Sequence, residues 1–285
     1  MGALYYDQTY QPPDPPVGLS FVPGSGEVTL SWTANEEADL THYVVHKGLV
    51  PDALDSLAMV AEPAAEYVDS VLDHTVINYY ALTAVDTASL VSDTSAVLSV
   101  SFPSLATSDE SLSFGDVRIG VVKTLQLTLS NTGSDTLFVD SIYVSDSLSG
   151  FSVALGEMNT SRSLIDRMAL STEVMPGESI GLDVSFMRED TLTVANELRI
   201  TSDDPLGNDV VSVGLSGRSV APVLVLAADT LDFGHILSES QLSVMVSNDG
   251  TDTLNVSAMA FPSGFTGSLA AVSYTHLTLP TICSV

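Results

Sequence analysis

Residues 112–137 read LSFGDVRIGVVKTLQLTLSNTGSDTL, and residues 231–254 read LDFGHILSESQLSVMVSNDGTDTL. Leu112, Phe114 and Gly115 recur as Leu231, Phe233 and Gly234. Asn131, Gly133, Asp135, Thr136 and Leu137 recur as Asn248, Gly250, Asp252, Thr253 and Leu254. The second copy is two residues shorter between its Gly and its Asn. The period, 117 residues between the two asparagines, is too long for a solenoid unit and suits a whole domain. Apolar residues alternate between the fixed points, and Asn-x-Gly is a turn former that accepts positive φ. The chain therefore reads as tandem β domains, an organisation that points to modular architecture rather than to a reaction.

Composition narrows the class. A length of 285 residues accommodates two sandwiches of about 100 residues and part of a third. Acidic residues number 36 against 8 basic ones, for a net charge of −28. Such a surface repels nucleic-acid phosphates and anionic lipid headgroups, and it keeps exposed strand edges from pairing. The lone cysteine, Cys283, excludes an internal disulfide and leaves the compartment open. The most apolar stretch, VAPVLVLAA at 220–228, is far too short to span a bilayer. The N-terminal MGALYYDQTYQPPDPP lacks the pattern of a signal peptide, so if the parent protein is exported its signal is expected upstream.

Residues 1–16 end in QPPDPP and read as a stiff linker or the end of a preceding domain. Over 17–102 the period is two. Val28, Leu30 and Trp32 share a face of 27–33, Tyr43 and Val45 of 41–48, and Tyr80, Leu82 and Ala84 of 77–86. A PGSGE turn at 23–27 separates the first two strands. This segment resembles a fibronectin type III domain. Pro15-Pro16-Val17-Gly18-Leu19 matches that family's opening strand, Trp32 its core tryptophan, Tyr43-Val44-Val45 its third strand and Ala84-Val85-Asp86 the end of its sixth. The family's corner tyrosine falls on Asn78, so either Tyr79 substitutes by a register shift or the corner is lost.

Residues 103–110 (PSLATSDE) read as a polar linker, and 111–219 as the first copy of the repeat. Its landmarks are Leu-x-Phe-Gly, Asn131-Thr-Gly133, Pro176-Gly177, Leu182-x-Val184-x-Phe186, Leu198-x-Ile200 and Val213-x-Leu215-Ser-Gly217. Their order resembles the abnormal-spindle/Hydin (ASH) class of immunoglobulin-like domains, found also as choice-of-anchor D repeats in bacterial surface proteins. The resemblance departs at GEMNTSRSLIDRMALSTEV (156–174), where the spacing of Ile165, Met168 and Ala169 allows a turn or two of helix. Residues 220–272 read as a truncated second copy, with strands expected at 223–227, 230–234, 241–247 and 253–261. The tail 273–285, SYTHLTLPTICSV, continues neither pattern and is left out of the fold. The expected fold class is all-β, tandem immunoglobulin-like β-sandwiches. The truncated copy is expected to leave Leu242, Val244, Val246, Leu254 and Val256 poorly covered, so that 221–285 is unstable alone and proteolysis trims the chain to about residue 220.

Catalytic patterns are missing. There is no G-x-S-x-G elbow, no glycine-rich phosphate loop and no EF-hand loop. His42 and His46 are four apart, a zinc spacing on a helix, but on a strand they read as solvent-facing residues opposite Tyr43 and Val45. Asp203, Asp204, Asn208 and Asp209 are the best oxygen-ligand cluster. They read first as a tight hairpin turn and second as a calcium site, because about four ligands fall short of the 6–8 that calcium takes. Tyr5, Tyr6, Tyr10 and Tyr79 read as linker or strand-edge residues before sugar-stacking ones. Asn159 and Asn255 head formal glycosylation sequons that read as chance matches.

The resemblances imply a non-catalytic structural or adhesive segment of a larger secreted or cell-surface bacterial protein. Its expected partners are surface proteins or polysaccharides and its own neighbouring domains, with no nucleic acid, no membrane insertion and no cofactor. The alternative is an accessory region of a secreted hydrolase. A third reading, association with microtubules as in eukaryotic relatives of the repeat, is disfavoured by the acidity.

Overall fold

A computed structural model describes residues 11–24, 26–156, 167–235, 237–269 and 279–284. The chain is all-β, as expected, and the strands among the described residues form five sheets. The first sandwich uses β1 (Val17–Gly24), β2 (Glu27–Thr33), β3 (Leu40–Val50), β4 (Ala53–Ala61), β5 (Glu66–Asp69), β6 (Asn78–Asp86) and β7 (Leu98–Val100). Sheet β1-β2-β5 faces sheet β4-β3-β6-β7, a three-on-four fibronectin/immunoglobulin-like arrangement. The alternation in the sequence is the reason. Val28, Leu30 and Trp32 from one sheet meet Tyr43, Val45, Tyr80, Leu82 and Ala84 from the other in one core. The Trp32 and Tyr43 rings pack edge to face at 5.2 Å.

The corner position is settled by Asn78. Its Nδ2 donates to the carbonyls of Asp73 (2.7 Å) and Val76 (3.0 Å), reaching back along the chain as a corner tyrosine's hydroxyl does. Tyr79 is not needed for it.

The second sandwich comprises β8 (Leu105–Thr107), β9 (Ser111–Arg118), β10 (Lys123–Asn131), β11 (Leu137–Val144), β12 (Phe151–Leu155), β13 (Arg167–Val174), β14 (Ser179–Phe186), β15 (Thr193–Ser202) and β16 (Val210–Val220). The sheets are β12-β14-β10-β8 and β13-β11-β15-β16-β9, with β9 parallel to β16. Phe114, Phe151 and Phe186 cluster between the sheets, with centroids 4.6 to 5.8 Å apart.

Two expectations are corrected. The stretch 103–110 is not merely a linker: β8 pairs with β10, and Leu105 lies in the second core. The segment proposed for a helical turn at 165–169 is, from Arg167 onward, the strand β13 paired with β11. Ile165 lies outside the described residues. An open sheet edge supplies hydrogen bonds that a short isolated helix lacks, and this overrides the local spacing.

The third unit has β17 (Leu224–Leu226), β18 (Gln241–Asn248), β19 (Thr266–Leu269) and β20 (Leu279–Ser284), in one sheet of order β17-β18-β20-β19. The strands expected at 230–234 and 253–261 are not formed. Their counterparts explain why. In the first copy, among the described residues, β9 pairs only with β16, and β11 only with β13 and β15. The second copy has no sequence counterpart of those partners. β10 needs a β8 and a β14; β17 supplies the first, and β20 takes the second place on β18. Contrary to expectation, the tail therefore contributes a strand, β20, to this sheet. Half of a core results. Leu127, Leu137 and Val139 are fully buried, whereas the equivalent Val244, Leu254 and Val256 are half-exposed. Among the described residues beyond Ala221, Val246 alone is buried.

Candidate functional site

The cluster Asp203, Asp204, Asn208 and Asp209 lies in the β15–β16 hairpin, beside the first sandwich. Asp204 is 1% exposed. Its Oδ2 accepts from the Leu105 N–H (2.7 Å) and its Oδ1 from the Leu206 N–H (2.8 Å). Asp203 Oδ1 accepts from the Phe138 N–H at 2.9 Å. The Asp209 and Asn208 carbonyls take the Ser202 N–H and hydroxyl. Both carboxylates therefore have backbone donors within the chain, and Leu206 of the same hairpin packs onto the first sandwich's core. Among the described residues, no group of three or more His, Cys, Asp or Glu side chains is placed to hold a metal ion.

The other candidates stand apart from one another. His42 Nδ1 meets the Thr41 hydroxyl at 2.9 Å, and His46 Nε2 meets the Thr83 hydroxyl at 3.0 Å. Burial lowers the pKa of His46. Tyr79 is half-buried on β6, opposite Gly48. Tyr5, Tyr6, Tyr10 and Asn159 lie outside the described residues, and Asn255 is exposed.

One buried polar cluster went unread in the sequence. Asp69, at the end of β5, accepts from Lys47 Nζ on β3 (2.7 Å), from the Tyr80 hydroxyl on β6 (2.7 Å) and from the Val71 N–H (3.0 Å). Burial opposes ionisation of Asp69, but the Lys47, Tyr80 and Val71 donors outweigh it and hold its pKa below the usual carboxylate value. Burial, and then the Asp69 carboxylate, push Tyr80 well above the ordinary phenol range. The ion pair ties the two sheets together. A shallow depression of about 260 Å³ beside it is lined by Lys47, Gly48, Leu49, Asp55, Ser56 and Leu57.

The repeated Asn-x-Gly-x-Asp motif is more than a turn. The Asn131 side chain is buried with all of its hydrogen-bonding capacity used. Its Nδ2 donates to the Asp135 (2.7 Å) and Val174 (2.8 Å) carbonyls, and its Oδ1 accepts from the Gly133 (2.9 Å) and Ser104 (3.2 Å) N–H groups. Ser104 belongs to the segment arriving from the first sandwich. The same segment's Phe102 carbonyl accepts from the Ser134 (2.8 Å) and Asp135 (3.1 Å) N–H groups. In the second copy, Asn248 Nδ2 donates to the Asp252 carbonyl (2.7 Å) and Oδ1 accepts from Gly250 (3.0 Å) and Val223 (3.0 Å). The Ala221 carbonyl accepts from Thr251 (2.8 Å) and Asp252 (3.2 Å). One sequence signal was present: Phe102-Pro103-Ser104 and Ala221-Pro222-Val223 precede the two asparagines by nearly equal distances.

No family model matches the chain, and no curated protein matches it. Solved structures do. An Fn3-like protein from Clostridium thermocellum is 21% identical over 34% of this chain and 99% of its own, with a TM-score of 0.28. The sixth fibronectin type III domain of human fibronectin type III domain containing protein 3 is 16% identical over 32% of this chain and 86% of its own, also at 0.28. The spore cortex lytic enzyme SleM of Clostridium perfringens is 22% identical over 32% of this chain, with a TM-score of 0.28; the match spans 29% of SleM. Each similarity covers about a third of this chain.

Proposed function

We propose that the chain is a non-catalytic spacer and interaction segment of a larger secreted or cell-surface bacterial protein. The observation that carries this reading is the absence of slack between the sandwiches. Phe102, 3% exposed, closes the first core, and Leu105, 4% exposed, belongs to the second, with two residues between them. At the far end Val220 is buried, and β17 begins four residues later. A chain that runs from core to core transmits position and load along its length, which a spacer requires. The net charge of −28 keeps such an array soluble and its edges apart. Its partners would be proteins or polysaccharides met outside the cell.

Pulling the full chain from its ends by single-molecule force spectroscopy tests the reading. The two sandwiches should unfold as separate force events releasing about 250–300 Å and 350–400 Å of contour, from about 3.4 Å per residue. Extension without resolved events would contradict a load-bearing spacer.

A further inference from the structure

We infer that the Asn-x-Gly-x-Asp loop of each repeat is a receptor for the exit segment of the sandwich before it, an X-Pro-X peptide held through its backbone. This deepens the spacer reading by naming the site that fixes how one unit is attached to the next.

The two junctions share their bonds but not their guests. The first guest, Phe102-Pro103-Ser104, leaves a fibronectin-like sandwich; the second, Ala221-Pro222-Val223, leaves an immunoglobulin-like one. In both, the residue before Pro offers its carbonyl to two consecutive loop N–H groups, and the residue after Pro gives its N–H to the Asn Oδ1. The middle residue is Pro in both copies and has no N–H to give. Recognition through the backbone is what allows two unrelated side-chain sets, Phe/Ser and Ala/Val, in one site.

The glycine is required by contact and not by turn geometry, because neither Gly133 nor Gly250 has the positive φ that Asn-x-Gly suggests. A Cβ on Gly133 would lie 2.2 Å from the Phe102 oxygen and 2.6 Å from the Ser104 nitrogen. On Gly250 it would lie 2.3 Å from the Ala221 oxygen and 2.4 Å from the Val223 nitrogen. These are backbone atoms of the guest, so no side-chain rotation relieves the overlap. The motif's aspartate adds a second point of attachment. Its Oδ1 accepts from the next residue's N–H in both copies. Its Oδ2 reaches back to the preceding unit, to the Ser101 hydroxyl (3.1 Å) from Asp135 and to Arg118 Nε (3.6 Å) from Asp252. Every constant position of the motif therefore either holds the guest or makes room for it.

The test is a distance distribution across the first junction in the full chain. Spin labels are placed at Asp52→Cys and Gln126→Cys, both exposed, in a Cys283→Ser background, and read by double electron–electron resonance. The parent should give one narrow distance. Gly133→Ala, which blocks the receptor, and Ser104→Pro, which deletes the guest's N–H, should each at least double the width. If circular dichroism shows that Gly133→Ala has lost strand structure, Ser104→Pro alone decides. A broad parent distribution, or a deciding variant as narrow as the parent, overturns the proposal. That outcome leaves the force-spectroscopy test of the spacer reading unaffected, because sandwiches joined flexibly still unfold one by one.

Discussion

Asn131 and Asp69 each hold several groups that the alternating pattern does not describe. Removing Asn131 strands the Ser104 and Gly133 N–H groups and the Asp135 and Val174 carbonyls. Asn131→Ala should cost about 3 kcal/mol, since each buried polar group left unpaired costs about 1–3 kcal/mol and water reaches some of them. Chemical denaturation of the second sandwich measures it, and a loss under about 1 kcal/mol would show that the side chain is not needed there. Asp69 makes a pH prediction. Its folded pKa lies below the unfolded value of about 3.9. A depressed carboxylate contributes stability that is present above the unfolded pKa and is lost as pH falls through the folded one. The first sandwich should therefore weaken below about pH 4, and Asp69→Asn should flatten that part of the pH profile. Lys47→Met, which leaves the carboxylate buried without its cation, should cost about 3 kcal/mol at pH 7. The neutral-pH melting temperature of that variant checks it; no change would mean that solvent replaces the lysine.

At the scale of strands, the two repeats are a matched experiment on what a strand needs. Leu127 on β10 and Val244 on β18 occupy equivalent places, but one is fully buried and the other half-exposed. Leu127→Ala should cost about 2–5 kcal/mol, whereas Val244→Ala should cost less than about 1 kcal/mol. Hydrogen exchange should show the same split, with β10 amides protected far longer than those of β18. Equal protection would mean that the third unit is covered better than its one sheet implies. The same comparison shows what was legible in the sequence. Strands at 27–33, 41–48 and 77–86 could be read because burial on one face writes a period of two into Val28, Leu30 and Trp32 and their partners. β8 could not, because three residues are too few to show a period. The sequences at 230–234 and 253–261 carry strand propensity, but a ladder is made by a partner, and the partners are far away in sequence or missing from it. Asp203 and Asp204 drew attention as carboxylates beside a turn. Their use as acceptors for Phe138 and Leu105 depends on backbone 65 and 99 residues away in sequence. Asn131 hid behind its own turn propensity, which accounts for the motif without reference to the guest it holds.

Over the whole molecule, the two sandwiches and the third, thinner unit are expected to lie end to end, joined without slack. Strands of up to 11 residues make each of the two sandwiches about 36 Å long at 3.3 Å per residue, and the 8-residue β18 makes the third unit shorter. Limited proteolysis should cut first beyond residue 220, where the core is thin, and leave the two sandwiches intact. The most direct test is small-angle X-ray scattering of the full chain. A compact 285-residue domain would have a radius of gyration of about 19 Å and an unfolded chain about 59 Å. An end-to-end array should give about 30 Å with the pair-distance profile of a rod. A value near 19 Å with the profile of a single sphere would contradict it.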